Sequence, residues 1–280
     1  MKERLSGKLL KELELEIPDD WQKIIDYFAS RKKFRTLIIG GLDAGKSTLS
    51  FLIQSTLNNV YVLEADPGQS SYLIPGVFSL VDKTGKVEAA YFIGDISPAK
   101  NLSGVLHGIF LLARKAEGAN IVVDTSGYIS GDLALELKLA KASLVKADHA
   151  VLIEKEKGEL EKFEYHLKLR GLTVLKCAVS TASKNYSSEE RRKRREIILK
   201  TYFEGAEEDL IEVEKKAIIN LQENEMRPNT VFAFENEKGI CEALGLVKEI
   251  IAEDHRYMIK YLAKEKPRRI VRIKLGRIWL

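Results

Sequence analysis

The stretch that most constrains this chain runs from Leu37 to Thr48 and reads Leu-Ile-Ile-Gly-Gly-Leu-Asp-Ala-Gly-Lys-Ser-Thr. Within it, Gly40, Gly45, Lys46 and Ser47 match the G-x-x-x-x-G-K-[ST] pattern without a mismatch. Apolar residues precede the glycines as a run and follow them at helical spacing, which predicts a strand, a tight turn and a helix. Such a turn surrounds phosphate oxygens with backbone N–H groups, and the helix start adds its positive dipole end. The sequence therefore predicts a binding site for a nucleoside triphosphate.

The residues of this phosphate loop have separate expected roles. Lys46 is expected to bridge the β- and γ-phosphates, and the Ser47 hydroxyl to bind Mg²⁺. The nucleotide-binding set comprises Gly40, Gly41, Leu42, Asp43, Ala44, Gly45, Lys46, Ser47 and Thr48.

Length and composition limit the remaining possibilities. At 280 residues the chain is long enough for one large α/β domain and a small appendage. It contains no apolar run of membrane-spanning length, its N-terminus lacks a signal-peptide core, and its two cysteines fit neither a disulfide framework nor a zinc site. We therefore expect a cytoplasmic protein without a membrane partner.

Positive charge is concentrated in two segments, although the formal net charge is only +4. Residues 256–280 contain nine Lys or Arg and one Glu, and residues 187–200 contain six Lys or Arg and three Glu. Two basic surfaces indicate an anionic partner such as nucleic acid. Ordinary solvated helix and strand faces would produce the same pattern.

Strands and helices alternate along most of the chain, which predicts an α/β fold: a P-loop NTPase with a mostly parallel sheet and helices on both faces. An N-terminal leader and helix are expected over 1–33, and the P-loop domain over 34–205, including a basic helix at 187–204. Composition then shifts toward short strands, so a small β-rich C-terminal appendage is expected over 206–280. Ligands of parallel sheets bind at the carboxyl ends of the strands, so the loops after Ile39, Glu64 and Val123 should converge.

Two acidic residues follow predicted strands of this sheet. Asp66 is placed to bind Mg²⁺ through water or to accept the proton of an attacking hydroxyl, and it could equally cap a turn. Gln69 in the same loop could orient a metal-bound water or a substrate oxygen. Asp124 ends a Val-rich strand, as expected of a second acid near Mg²⁺. Tyr128 could stack on a nucleobase or be an ordinary surface aromatic residue.

The basic helix carries the run Arg191-Arg192-Lys193-Arg194-Arg195 after the last core strand. This placement suits a lid whose guanidinium groups close over a transferring phosphoryl group. Arg191 and Arg195 are spaced to share one helix face, so they are the favoured pair, and Arg192 is the third candidate.

Together these motifs resemble those of the polynucleotide 5′-hydroxyl kinases, which include the kinase component of the eukaryotic pre-mRNA cleavage machinery and the nucleolar rRNA-processing kinases. The matching segments lie in the same order across about residues 36–205: the phosphate loop, Asp66-x-Gly68-Gln69, Gly94-x-x-Ser97-Pro98, Thr125-x-Gly127-Tyr128, and Arg191-Arg192…Arg195…Tyr202-Phe203-x-Gly205. The family turn normally carries Trp where this chain has Tyr128. Residues 206–280 resemble the C-terminal segment of short archaeal or bacterial members.

The resemblance implies transfer of the γ-phosphate of ATP, with Mg²⁺, to the 5′-hydroxyl of RNA or DNA. Asp66 would act at the attacking hydroxyl, and Thr125, Gly127 and Tyr128 would form a clasp around the end of the nucleic acid. Arg191, Arg192 and Arg195 would form the lid. The alternative is a GTPase or ATPase that binds nucleic acid under nucleotide control. Asp124 and Gly127 fit the D-x-x-G pattern of G proteins, but no [NT]-K-x-D motif follows the strand near Ile153.

Overall fold

The computed structural model describes residues 17–180, 183, 185–220, 226–267 and 272–280. The first half of the predicted leader, residues 1–16, therefore lies outside the described residues. The α-helices are α1 (Asp19–Ala29), α2 (Lys46–Thr56), α3 (Leu102–Lys115), α4 (Asp132–Val145), α5 (Glu161–Leu169) and α6 (Ser188–Phe203). The strands are β1 (Arg35–Gly40), β2 (Val60–Ala65), β3 (Val77–Val81), β4 (Val87–Phe92), β5 (Asn120–Thr125), β6 (His149–Glu154), β7 (Thr173–Ala178), β8 (Glu207–Glu214), β9 (Ile218–Ile219), β10 (Thr230–Glu235), β11 (Cys241–Ala252), β12 (Arg256–Ala263) and β13 (Arg272–Trp279).

A seven-stranded sheet has the order β4-β3-β2-β5-β1-β6-β7. Neighbouring strands from β2 to β7 in this order pair in parallel. Outside the edge strand β7, their central residues are almost wholly apolar and buried, as expected of a parallel sheet covered on both faces. The predicted α/β fold with a mostly parallel sheet is confirmed.

Pairing between β1, β2 and β5 puts their carboxyl ends at one level. Ile38 and Glu64 both lie opposite Asp124, and Ala65 lies opposite Thr125. Because the three strands are neighbours, the residues that follow them leave the sheet side by side. This register brings together the loops that the sequence predicted to converge.

The N-terminal helix α1 belongs to the same core. Its buried residues Trp21, Ile24, Ile25 and Phe28 pack with apolar residues of β1, α2, β5 and β6. The indole N–H of Trp21 donates to the Ala178 carbonyl over 2.9 Å, which ties α1 to the end of β7.

A six-stranded sheet of order β8-β12-β11-β10-β13-β9 follows α6. All its pairs are antiparallel except that between β13 and β9. Its core contains Phe232, Phe234 and Tyr261, whose ring centroids lie 5.0–5.6 Å apart. The predicted C-terminal β-rich segment is confirmed as a sheet, although β8 and β9 were not predicted.

The chain divides into two compact units. The first contains the residues up to Asp66, Leu80–Glu88 and Ile109–Tyr186, and the second contains Pro67–Ser79, Ala89–Gly108 and Ser187–Leu280. The domain boundaries expected at residues 33 and 205 stay a prediction. Among the described helices, none combines the length and the apolarity that a membrane span requires.

Candidate active site

The phosphate loop connects β1 to α2 in a tightly constrained turn. Gly45 has φ of +87° and Asp43 has φ of +57°, and α2 begins directly afterwards at Lys46. At Gly40 a Cβ would lie 2.9 Å from the Ile153 carbonyl oxygen, so the strand requires glycine there for close packing. The sequence pattern therefore forms the strand, turn and helix start that a polyphosphate requires.

Trp21 covers this loop from α1. A Cβ added at Gly45 would lie 2.6 Å from the Trp21 ring, and the ring itself is only 2% exposed. The sequence predicted a helix within residues 1–33, but it did not predict that Trp21 of this helix packs on the phosphate loop. The contact restricts position 45 to glycine for a second reason besides its positive φ.

Lys46 is buried, with 7% of its surface exposed, and its Nζ donates to the Gly41 carbonyl over 2.7 Å. Desolvation lowers the pKa of Lys46, and the negative charges of Asp124 and Asp66 oppose this effect. The two predicted acids are thus close enough to act on the loop lysine. This is the grouping that the sequence predicted.

Asp124 lies at the end of β5 and is 5% exposed. Its carboxylate accepts a hydrogen bond from the Ser47 hydroxyl, and burial raises its pKa to about 6 against the opposing effect of Lys46. Its Oδ1 is buried without a hydrogen-bond partner among the described residues. A hydroxyl beside a carboxylate with one open oxygen is a donor set that suits Mg²⁺.

Protein oxygens alone would not enclose such an ion. Among the described residues there is no group of three or more His, Cys, Asp or Glu side chains that could hold a metal. Mg²⁺ at nucleotide sites is typically held by one or two protein ligands together with phosphate oxygens and water. The residues present fit Mg²⁺ that arrives with a nucleotide.

Asp66 follows β2 directly and is half-buried. Its charge acts on Lys46 and Asp124, and also on two lysines of α4, Lys138 and Lys141. Asp66 thus lies among three cations and one further acid at the carboxyl edge of the sheet.

The turn after β5 lies against the phosphate loop. A Cβ at Gly127 would lie 2.8 Å from the Leu42 backbone nitrogen, so the two backbones approach as closely as glycine permits. The Thr125 hydroxyl is fully buried, donates to the Ile38 carbonyl over 2.7 Å and accepts from Lys138 over 2.9 Å. Tyr128 is half-buried. The Thr125 side chain therefore anchors the turn, whereas Gly127 and Tyr128 lie nearer its surface.

Two site residues escaped the sequence analysis. Lys138 and Lys141 of α4 are both 0% exposed. Burial lowers the pKa of each lysine, and the negative charges of Asp66 and Asp124 oppose this effect. One signal was available. The two lysines occupy the buried stripe of a helix whose other stripe residues, Ala134 and Val145, are apolar.

Gln69 and the arginines of α6 belong to the second unit. Gln69 is exposed. Arg191 and Arg195 are half-buried, whereas Arg192 is exposed and lies 3.7 Å from Glu196. Arg191 and Arg195, which the spacing places on one helix face, are thus both less exposed than Arg192. The functional roles of Gln69 and the three arginines stay predictions.

Several basic residues of the C-terminal segment 256–280 pair with acids of the same sheet. Lys260 pairs with Glu208 over 2.9 Å, Arg256 pairs with Glu212, and Lys266 lies 3.3 Å from Asp209. The three acids lie on β8, the strand that the sequence analysis missed. These pairs favour the ordinary solvated face for β12, and a nucleic-acid surface in this segment stays a prediction.

Two further basic residues of this C-terminal segment, Arg268 and Arg269, lie outside the described residues.

Comparisons with a family model and with individual relatives indicate the same family for this chain. Residues 40–205 match the model of the family described as mRNA cleavage and polyadenylation factor CLP1 P-loop. A polyribonucleotide 5′-hydroxyl-kinase of Methanocaldococcus jannaschii is 30% identical over 269 residues, covering 90% of this chain and 67% of that protein. Another, from Thermococcus kodakarensis, is 33% identical over 207 residues, covering 69% of this chain and 58% of that protein. The chain thus aligns with about three fifths to two thirds of these relatives.

A solved structure gives the same fold. A chain of the wild-type Clp1p–Pcf11p complex superposes with a TM-score of 0.68 at 13% identity, covering 92% of this chain and 77% of that one. The resemblance to polynucleotide 5′-hydroxyl kinases that the motifs carried is confirmed by these matches. Because the family model spans more than half of the residues, this chain belongs to the CLP1 P-loop family.

Proposed function

We propose that the protein transfers the γ-phosphate of ATP to the 5′-hydroxyl of a polynucleotide, with RNA as the preferred substrate. One observation carries the proposal. The aligned carboxyl ends of β1, β2 and β5 bring together four side chains beside a loop shaped for a polyphosphate, namely Lys46, Ser47, Asp66 and Asp124. The relatives named polyribonucleotide 5′-hydroxyl-kinases support this choice of reaction and of RNA. We place the protein in the cytoplasm, in keeping with its two free thiols.

The phosphate loop and Lys46 bind the nucleotide. Backbone N–H groups of the loop hold the β-phosphate region, and Lys46 leaves its bond to the Gly41 carbonyl to reach the phosphate oxygens. Ser47 and Asp124 would hold a Mg²⁺ ion that arrives with the nucleotide, and the ion would supply charge neutralisation at the phosphates. Burial of this lysine strengthens its interaction with phosphate because the local dielectric constant is low.

Asp66 orients the substrate 5′-hydroxyl and accepts its proton. As the oxygen forms its bond to the γ-phosphorus, the bond between that phosphorus and the bridging oxygen of the β-phosphate breaks, and ADP leaves with the electron pair. Gly127 and Tyr128 hold the terminal nucleotide of the substrate, with Thr125 anchoring their turn, and Gln69 contacts the substrate. Arg191 and Arg195, with Arg192 as a third candidate, stabilise charge on the transferred group.

Transfer of label from γ-³²P-ATP to an RNA oligonucleotide with a 5′-hydroxyl tests the proposal. We expect a labelled RNA product, a weaker signal with DNA of the same sequence, and none with a 5′-phosphorylated end. ATP and GTP should be compared as donors with both acceptors. Release of labelled inorganic phosphate without labelled oligonucleotide would instead favour the nucleotide-controlled nucleic-acid-binding protein.

Two variants test the residue roles. Lys46→Ala should abolish transfer, and normal transfer by this variant would refute the phosphate-site assignment. Asp66→Asn should retain nucleotide binding and lose transfer by a factor on the order of 10² or more, because the amide cannot accept the proton. Undiminished turnover by Asp66→Asn would show that Asp66 is not the base.

A further inference from the structure

Two lysines occupy positions of α4 that a helix normally gives to apolar residues. Ala134, Lys138, Lys141 and Val145 follow one another at spacings of four, three and four, so they form one stripe along the helix. All four are 0% exposed, and α4 packs against β1. Fully buried lysines are rare unless their charge is compensated. The sheet beneath this stripe must therefore supply what the two ammonium groups require.

Lys138 contacts the turn that carries the proposed clasp. Its Nζ donates to Thr125 Oγ1 over 2.9 Å and to the Ser126 carbonyl over 2.5 Å, and it lies 3.4 Å from Ser126 Oγ. The same Thr125 hydroxyl donates to the Ile38 carbonyl of β1. One ammonium group thus holds the first two residues of the turn against the strand that leads into the phosphate loop.

Lys141 contacts the strand that precedes the proposed base. Its Nζ donates to the Ala65 carbonyl over 2.9 Å, and Ala65 is the residue immediately before Asp66. The two lysines lie one helical turn apart. They therefore hold the ends of two neighbouring strands, β5 and β2, at the level where the clasp and the base begin.

Burial lowers the pKa of both lysines, and the nearby cations Lys141 and Lys46 lower the pKa of Lys138 further. The charges of Asp66 and Asp124 oppose this effect at both lysines. No described carboxylate lies within ion-pair distance of Lys138, and the three oxygens that its Nζ contacts are all neutral. A stripe of apolar residues would pack there without the cost of desolvating two ammonium groups. The presence of two lysines here is explained if their charge and their hydrogen bonds position the groups of the site.

We propose that Lys138 and Lys141 are positioning residues of the phosphoryl-transfer site, with Lys138 holding the clasp turn and Lys141 holding Asp66. The inference rests on the proposed function. Neither lysine contacts the substrate. Each acts through the group it holds, and Lys141 also places positive charge near Asp66 and Asp124. The two residues should therefore affect different kinetic constants.

The kinetic test uses Lys138→Met and Lys141→Met, which replace lysine by an uncharged side chain that is one atom shorter. Lys141→Met should lower kcat by a factor on the order of 10² with little change in KM for the RNA, because the base is displaced. Lys138→Met should chiefly raise KM for the RNA, because the clasp is loosened. KM for ATP should stay within about threefold in both, as a factor of this size is a small energy. Lys141→Arg should recover part of kcat.

The control for loss of one charge is Lys146→Met, an exposed position just after the same helix, which should leave all constants unchanged. Folded Lys138→Met and Lys141→Met proteins with wild-type kcat and KM would overturn the proposal. So would a loss of activity in strict proportion to a loss of thermal stability.

Thermal unfolding provides the readout that does not depend on activity. If the lysines serve the site rather than the fold, both Met variants should melt at the wild-type temperature or a few degrees above it. Melting well below the wild type in both Met variants would make the lysines structural and overturn the proposal. Absence of phosphate transfer by the wild-type protein would overturn the proposed function, and this inference with it. Normal transfer by the wild type, combined with low melting temperatures of both Met variants, would overturn only the inference about the lysines.

Discussion

Removing the buried charge of Lys141 should stabilise the folded protein near neutral pH. Burial lowers the pKa of Lys141 from 10.5 to about 8, with Asp66 and Asp124 opposing the effect. The unfolded chain therefore binds more protons than the folded protein between about pH 8 and 10.5, so stability from this group rises as pH increases through that window. Below about pH 8 the folded protein carries the full cost of the buried charge.

The size of this cost follows from the same values. Each pKa unit corresponds to about 1.4 kcal/mol, so the lysine costs about 3 kcal/mol at neutral pH. Lys141→Met removes that cost but leaves the Ala65 carbonyl without its donor, which costs about 1–2 kcal/mol. We expect a net gain of about 1–2 kcal/mol at about pH 7. At about pH 10 most of the gain should vanish, or its sign should reverse, because the wild-type lysine is then largely neutral.

Denaturant unfolding of the wild type and Lys141→Met at about pH 7 and pH 10 measures this double difference, in which the other titrating groups largely cancel. A variant that is less stable at pH 7 by the same amount as at pH 10 would refute the reasoning. That result would mean that the folded environment does not penalise the charge.

Three further outcomes are expected from the site. Lys46→Ala should retain the fold and lose transfer in single-turnover assays by a factor on the order of 10²–10³, as for other removed charge-stabilising donors. Gly127→Ala should lower kcat/KM by roughly 10–100-fold, because its Cβ would lie 2.8 Å from the phosphate-loop backbone and must push the clasp away. Arg195→Ala should lower kcat by a factor on the order of 10³ if the lid assignment is correct.

Matched controls separate these effects from general damage. Gly118→Ala places alanine at a φ of +87°, which is strained for a residue with a Cβ, but this Cβ would meet no atom within 4 Å. The variant protein should therefore be less stable and keep its activity. Lys193→Gln removes a charge from α6 that pairs with Glu189 over 2.8 Å and should leave kcat unchanged. Wild-type kcat/KM for Gly127→Ala, or equal losses for Arg195→Ala and Lys193→Gln, would contradict the respective assignments.

Sequence periodicity anticipated most of the described elements. The basic helix expected over 187–204 runs from Ser188 to Phe203, and the strand expected to end at Glu64 ends at Ala65, because local sequence signals mark these boundaries. The strand Glu207–Glu214 was missed because its alternating residues are mostly acidic and only Val213 is well buried. Its partner β12 supplies the compensating charges, and that pairing is a long-range fact that local sequence does not contain.

The phosphate loop, the acids at the strand ends and the family itself followed from the sequence alone, since the glycine spacing, the strand-end carboxylates and the order of the motifs are local properties of the chain. Tertiary structure decided how these parts combine. The register of β1, β2 and β5 sets the acids at one level, and the buried side of α4 directs two lysines beneath them. The physical reason is that desolvation and compensation of a charge depend on what surrounds it in space. A lysine in an otherwise ordinary helix becomes part of the site only after the sheet has formed against it.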